Sequence, residues 1–172
     1  MVIKVGTFFG DALGGVAFDD SATYSLTLAD KVVSVNVSWA YDTLASIAFT
    51  YSNGATSSHG LGDSIRVASH SGVFTLLPTE SINGVTVYRG IRDIINYYSP
   101  NGTDLIVGIT FFTNQGRQSN VFGSANGTAY SDLFSDYILA YARGRSYAFL
   151  DAIQFVWTKN YEQSITSMIA TV

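Results

Sequence analysis

The chain has no cysteine, which excludes disulfides, thiolate metal sites and a cysteine nucleophile and frees the protein from any need for an oxidising compartment. Charge is also scarce. Only 13% of the 172 residues are charged, about half the usual share, and the net charge of -4 includes just nine Lys and Arg. Nucleic acid is therefore not an expected partner, because neutralising phosphates requires a basic stripe and none is present. No apolar run approaches the roughly 18 residues that cross a bilayer as a helix, so membrane insertion is not expected. The N-terminal MVIKVGTFFG is broken by Gly6 and lacks the long apolar core and small-residue cleavage site of a signal peptide. With the missing cysteine, this favours a cytoplasmic or non-classically secreted protein. The sequons at Asn36, Asn101 and Asn126 matter only in a secreted chain.

Acid and metal chemistry is thin as well. Glu80 and Glu162 are the only glutamates, and neither sits in a motif-like setting. Glycoside hydrolysis needs two carboxylates about 5 to 9 Å apart across a cleft, so an enzyme is not expected. His59 and His70 lie far apart in Gly- and Ser-rich stretches that read as turns, with no Asp or Glu at ligand spacing. No metal or other cofactor is expected.

What is abundant points elsewhere. Hydrophobic residues make up 47% of the chain, enough for one sizeable core and few for two. Thr, Ser, Asn, Gly and Tyr are abundant, a surface suited to an uncharged, hydroxyl-rich ligand. Short runs rich in β-branched and aromatic residues recur: Val32 to Val37, Ile47 to Tyr51, Val73 to Leu77, Val85 to Tyr88, Leu105 to Phe112 and Ile153 to Trp157. Gly, Asn, Ser and Asp punctuate them, which predicts an all-β protein. Ser131 to Ala142 is ambiguous, and Tyr161 to Ala170 reads as a short helix or an added strand.

One unit repeats. SIAFTYSNG from Ser46, GITFFTNQG from Gly108 and AIQFVWTKN from Ala152 align, each with an Ile followed two residues later by a Phe. Residues two apart on a strand share a face, so Ile47 and Phe49, Ile109 and Phe111, and Ile153 and Phe155 point to one interior. Three similar sheets around that interior form a prism. The loop before each copy can then be compared: Asp151 corresponds to Ala45 and Val107. Only one of three equivalent loops carries an acid. Asp19 and Asp20, following Phe18, read as turn residues.

These pieces together resemble the jacalin-related lectins. The matching stretches are GGVAFDD at Gly14 to Asp20, SIAFTYSNGATSSHG at Ser46 to Gly60, GITFFTNQGRQSNVFG at Gly108 to Gly123 and GRSYAFLDAIQF at Gly144 to Phe155, in the family's order. The resemblance implies a β-prism of three four-stranded antiparallel sheets with pseudo-threefold symmetry, over about residues 1–160, leaving 161–172 as a C-terminal extension. It implies a non-catalytic, metal-independent lectin whose partners are mono- or oligosaccharides and glycoproteins, assembled as a homo-oligomer, dimer or tetramer. The family holds its sugar between a Gly-rich N-terminal loop and a loop of pattern G-x-x-x-D. Carried over, Asp151 accepts hydrogen bonds from two sugar hydroxyls, Ala148 and Phe149 present backbone N–H groups, and Gly15 adds one from the opposite loop.

Two departures bear on specificity. Tyr147 replaces the family's Gly, which is unfavourable if that position needs positive φ; either the loop has adjusted or Tyr147 has become a wall of the pocket. Galactose-preferring relatives are cut so that the loop glycine becomes a free amino terminus, whereas here residues 1–14 precede Gly15, and this favours mannose or glucose. A galactose-type lectin and a prism that has become a protein-interaction module are the alternatives. In the first sister loop Tyr41 occupies the place of Tyr147 and Asp42 lies too early to stand in for the acid. The insertion from Arg89 to Asp104, with Tyr97 and Tyr98, is expected to reach the sugar end of the prism.

Overall fold

The computed structural model describes residues 2–40, 43–60, 68–92 and 103–159. Tyr41, Asp42, Tyr97, Tyr98 and the 161–172 extension lie outside them. In chain order the strands are β1 (Ile3–Gly10), β2 (Val16–Asp19), β3 (Val32–Ala40), β4 (Thr43–Tyr51), β5 (Thr56–Gly60), β6 (His70–Thr75), β7 (Ile82–Arg92), β8 (Thr103–Thr113), β9 (Phe122–Gly123), β10 (Thr128–Leu133), β11 (Tyr137–Ser146) and β12 (Leu150–Lys159), with one helical turn, α1 (Asp20–Thr23), after β2. They form three four-stranded sheets in the orders β5-β4-β3-β6, β9-β8-β7-β10 and β1-β12-β11-β2. Every pairing is antiparallel. Each sheet has a central hairpin flanked by two further strands, and the third draws its flanks from the N-terminus. The chain thus begins and ends its described path in one sheet.

The three Ile and Phe pairs set the core. Ile47, Phe49, Ile109, Phe111, Ile153 and Phe155 are all fully buried and belong to one hydrophobic cluster. Phe155 meets Phe111 edge-on at 6.2 Å between centroids and tilts against Phe9 at 6.4 Å, the offset geometry aromatic rings prefer. Burying each such ring removes apolar surface worth about 1.5–3 kcal/mol. The all-β, pseudo-threefold prism expected from the repeat is the observed architecture.

Local readings differ in three places. His59 and His70 stand on β5 and β6 rather than in turns. The ambiguous 131–142 stretch ends β10 and begins β11. Asp19 caps α1 by accepting from Ser21 and Ala22 N–H, as a turn acid should, but Asp20 is completely buried. It accepts from Tyr51 Oη, from Ser57 Oγ at 2.9 Å, and bonds His59 Nε2 at 2.7 Å, tying the first segment of the chain to the β3–β6 sheet.

Glu80 repeats this device one sheet further on. It is fully buried in the turn leading to β7, accepting from Leu77 N–H at 2.9 Å, Thr113 Oγ1 at 2.7 Å and Arg117 Nη1 at 2.5 Å. Asp132, buried on β10, accepts from Thr7 N–H and Thr7 Oγ1 on β1 at 2.9 and 2.8 Å. Asp20 and Asp132 thus each join one sheet to another through buried hydrogen bonds, and Glu80 fastens the turn before β7 to the end of β8.

Candidate functional site

The central hairpins share a defect at one end. In β11–β12, Arg145 pairs with Ala152 and Ser146 with Leu150, so Asp151 is skipped. In β3–β4 the skipped residue at the corresponding shift is Ala45, between the pairs Ser38–Ser46 and Trp39–Leu44. In β7–β8 it is Val107, between Tyr88–Gly108 and Arg89–Ile106. A bulge re-aims a side chain and releases its backbone from the ladder. The alignment of the three loops thus has a physical counterpart: the acid position is the bulge position in every sheet.

The released backbone is taken up by a neighbouring loop. Asp11 N–H donates to the Asp151 carbonyl at 2.9 Å, and Ser124 N–H donates to that of Val107 at 2.8 Å. A glycine with positive φ precedes each of these approaches, Gly10 at 109° and Gly123 at 85°, and Gly60 at 97° lies correspondingly beside Ala45. A Cβ at any of them would strike the carbonyl of Asp151, Ala45 or Val107 respectively, so only glycine fits. Ala45 and Val107 are buried apolar residues in this frame. Asp151 is only partly buried.

Around Asp151 the site is completed by the loop between β1 and β2. Gly15 has φ of 53°, and a Cβ there would collide with Asp151 Oδ2 and the Ser146 carbonyl; at Gly14 it would stand 3.0 Å from Asp151 Oδ1. Two glycines therefore lie directly on the carboxylate. Arg145 holds them, donating from Nε to the Gly14 carbonyl and from Nη2 to the Gly15 carbonyl at 2.8 Å. Asp151 Oδ2 is buried without a hydrogen-bond partner. Burial, and secondly the charge of Asp11, raise the Asp151 carboxyl above its ordinary range, against the pull of the Tyr147 N–H, the Arg145 charge and its own N–H. A carboxylate left short of partners is a strong acceptor in wait for donors.

Gly15 and Asp151 are in contact, and Tyr147, Ala148 and Phe149 form the bend between β11 and β12 that carries Asp151. Tyr147 N–H donates to the Phe149 carbonyl at 3.0 Å. Among the described residues Ser25 is the sole non-glycine with positive φ, so Tyr147 sits in ordinary backbone and the loop has adjusted to it. Tyr147 is 46% exposed; Val16, which pairs with the preceding Ser146, is 66% exposed, and Leu13, which precedes Gly14 in the chain, is 90% exposed. The β7–β8 hairpin runs on past Val107 to the pair Arg92–Thr103, at the same end of the prism as Asp151. Arg89 and Asp104 form an ion pair within it. Sequence reasoning passed over Arg145 and Asp11; in the structure Arg145 faces small residues, Ala17 and Ala152, on both neighbouring strands, whereas Arg143, two residues earlier, faces Asp19 and Gln154.

A family model for the jacalin-like lectin domain matches residues 5–156. Among solved structures the chain is similar to a mannose-specific jacalin-related lectin from Morus nigra in complex with mannose, at 25% identity and a TM-score of 0.71, covering 91% of this chain and 94% of that one. It is similar to AcmJRL, a mannose-binding jacalin-related lectin from Ananas comosus, at 18% identity and TM-score 0.71, covering 92% and 99%. Calystegia sepium agglutinin matches at 18% identity and TM-score 0.72, covering 93% and 99%. No curated protein matches by sequence.

Proposed function

Because the chain belongs to the jacalin-like lectin domain family, we propose that it is a non-catalytic, metal-independent lectin for mannose- or glucose-type glycans. Carbohydrate recognition is the activity of the family; the sugar and the residues that hold it are the proposed part. Asp151 accepts from two neighbouring hydroxyls of a hexose. Gly15, Ala148 and Phe149 donate from the backbone, and the Tyr147 ring lines the mouth. The observation that carries the reading is the Asp151 carboxylate, buried at one oxygen without a partner under a pair of glycines that leave no room for a side chain. Among the described residues no group of three or more His, Cys, Asp or Glu is arranged to hold a metal ion.

The preference for mannose or glucose has two supports. The loop glycine is internal to the chain, with fourteen residues before Gly15 in the sequence. The Morus nigra lectin bound to mannose is 25% identical over 91% of this chain. Contacts of this kind are shallow and wet, so a single site binds on the order of millimolar to micromolar, and a homo-oligomer, dimer or tetramer, would raise avidity by linkage.

A glycan array on the protein and on Asp151→Ala tests the reading. High-mannose glycans should bind the protein and lose at least about tenfold in affinity with the variant, the scale of a charge-assisted hydrogen bond. EDTA should leave binding intact. Equal binding by Asp151→Ala would remove Asp151 from the site, and stronger competition by galactose than by mannose would overturn the specificity. A second reading, a protein-interaction prism, draws on the exposed apolar residues Leu13, Val16 and Tyr147 and would be favoured by an array with no hits.

A further inference from the structure

We infer that Arg145 is a positioning residue of the sugar site, clamping the Gly14–Gly15 peptide so that the Gly15 N–H faces away from the guanidinium as a fixed donor. This rests on the reading of Asp151 and Gly15 as the sugar site. A peptide unit is planar and trans, with its carbonyl oxygen and N–H on opposite edges. Arg145 Nε takes the Gly14 oxygen, which fixes the direction of the Gly15 N–H in the same unit. Its Nη2 takes the next oxygen, that of Gly15, at 2.8 Å. Two successive carbonyls are thus read by one planar fork, a match that only arginine makes.

The clamp is built from a rigid base. Arg145 is the inner residue of the bulge, paired with Ala152 on one side and Ala17 on the other, next to the skipped Asp151. At the equivalent bulges in the other two sheets the corresponding residues are Ser38 and Tyr88. Arginine occurs only where the acid does. Glycines at 14 and 15 admit the carboxylate closely but are the residues least able to hold a conformation by themselves, so a side chain reaching them from 130 residues away in sequence supplies the order they lack. The same guanidinium is the charged group that favours ionised Asp151, against Asp11 and burial. One residue therefore fixes a donor and sustains an acceptor.

The two roles separate experimentally. Arg145→Lys keeps the charge but cannot span both carbonyls; Arg145→Met removes both functions. Titration calorimetry with a mannotriose from pH 4 to 8 should find Arg145→Lys weakened ten- to hundredfold with the acid limb of its pH profile unmoved. Arg145→Met should be weaker still, with that limb displaced to higher pH, because losing the cation raises the Asp151 carboxyl further. Backbone amide relaxation should show the Gly15 N–H gaining mobility in both variants while β12 stays rigid, a readout independent of any sugar. An unchanged order parameter at Gly15 would overturn the clamp whatever the glycan result, and so would full affinity in Arg145→Met. A wild-type protein that binds no sugar while the order at Gly15 still responds would instead sink the sugar reading, and with it the role of the clamp in binding.

Discussion

Asp20 and Asp151 are two aspartates of one prism, and their surroundings differ in the respects that decide a carboxylate's role. Asp20 is completely buried and meets Tyr51, Ser57 and His59; burial and the Asp20 charge hold the Tyr51 hydroxyl far above its ordinary range, so that it stays a donor. Asp151 is partly buried, has one oxygen without a partner and carries a raised carboxyl. A buried acid with its acceptor sites filled is part of the architecture, since its desolvation is offset by the bonds it makes. One held short of partners, beside glycines that bring no side chain of their own, keeps acceptor capacity unspent. The difference lies in completion, not in depth alone.

Removing the completed acid should have the larger effect. Asp20→Ala leaves His59, Tyr51 and Ser57 facing a void, and breaking a buried network from one side costs about 3–5 kcal/mol. Urea unfolding should register that loss, while glycan affinity of the folded protein should remain at the wild-type level. A variant that unfolds normally but fails to bind would erase the division between the two acids.

Glu80 sharpens the contrast through pH. Burial pushes its carboxyl up, but the Leu77 N–H, the Thr113 hydroxyl and the Arg117 guanidinium outweigh it, and the net shift is downward. A depressed acid contributes stability that is present above the ordinary carboxylate range and lost as pH falls through the depressed value. Melts of wild type and Glu80→Gln should therefore differ by about 1–3 kcal/mol near neutrality and converge in strong acid. A difference that persisted unchanged at pH 2 would assign the effect to packing instead.

Much of this was legible in the residues. The strands whose β-branched and aromatic runs face the core are the ones the pattern finds, and the three Ile and Phe pairs converge as their spacing requires. The Asp151, Ala45 and Val107 equivalence was readable as well, because each precedes a recurrent strand motif. What resisted reading has two causes, irregular pairing and partners remote in sequence. The second bulge of the β11–β12 hairpin skips Ala140, so Leu139, Ala140 and Ala142 are all buried and the period of two is scrambled where the sequence looked ambiguous. Asp20 looked like a turn residue because its partners on β4 and β5 lie 31 to 39 positions away. Arg145 escaped notice for the same reason, its carbonyl partners being contributed by the other terminus of the chain.

The smallest effect is also the most discriminating, because it has the opposite sign. Ionised Asp151 is disfavoured in the fold, by burial first and by Asp11 second. A raised acid imposes its penalty once pH exceeds the folded value and none below the ordinary range, where both folded and unfolded chains are protonated. Asp151→Asn should remove that penalty at pH 7 and raise stability by less than about 1 kcal/mol, a Tm gain of at most about 4 °C for a chain of this size. The gain should vanish near pH 3, and it should accompany the loss of glycan binding, as expected where a site is kept at a cost in stability. Paired melts at the two pH values decide it: a Tm that falls at pH 7 would mean that the Asp151 carboxylate, like those of Asp20 and Glu80, is held by the fold for its own sake.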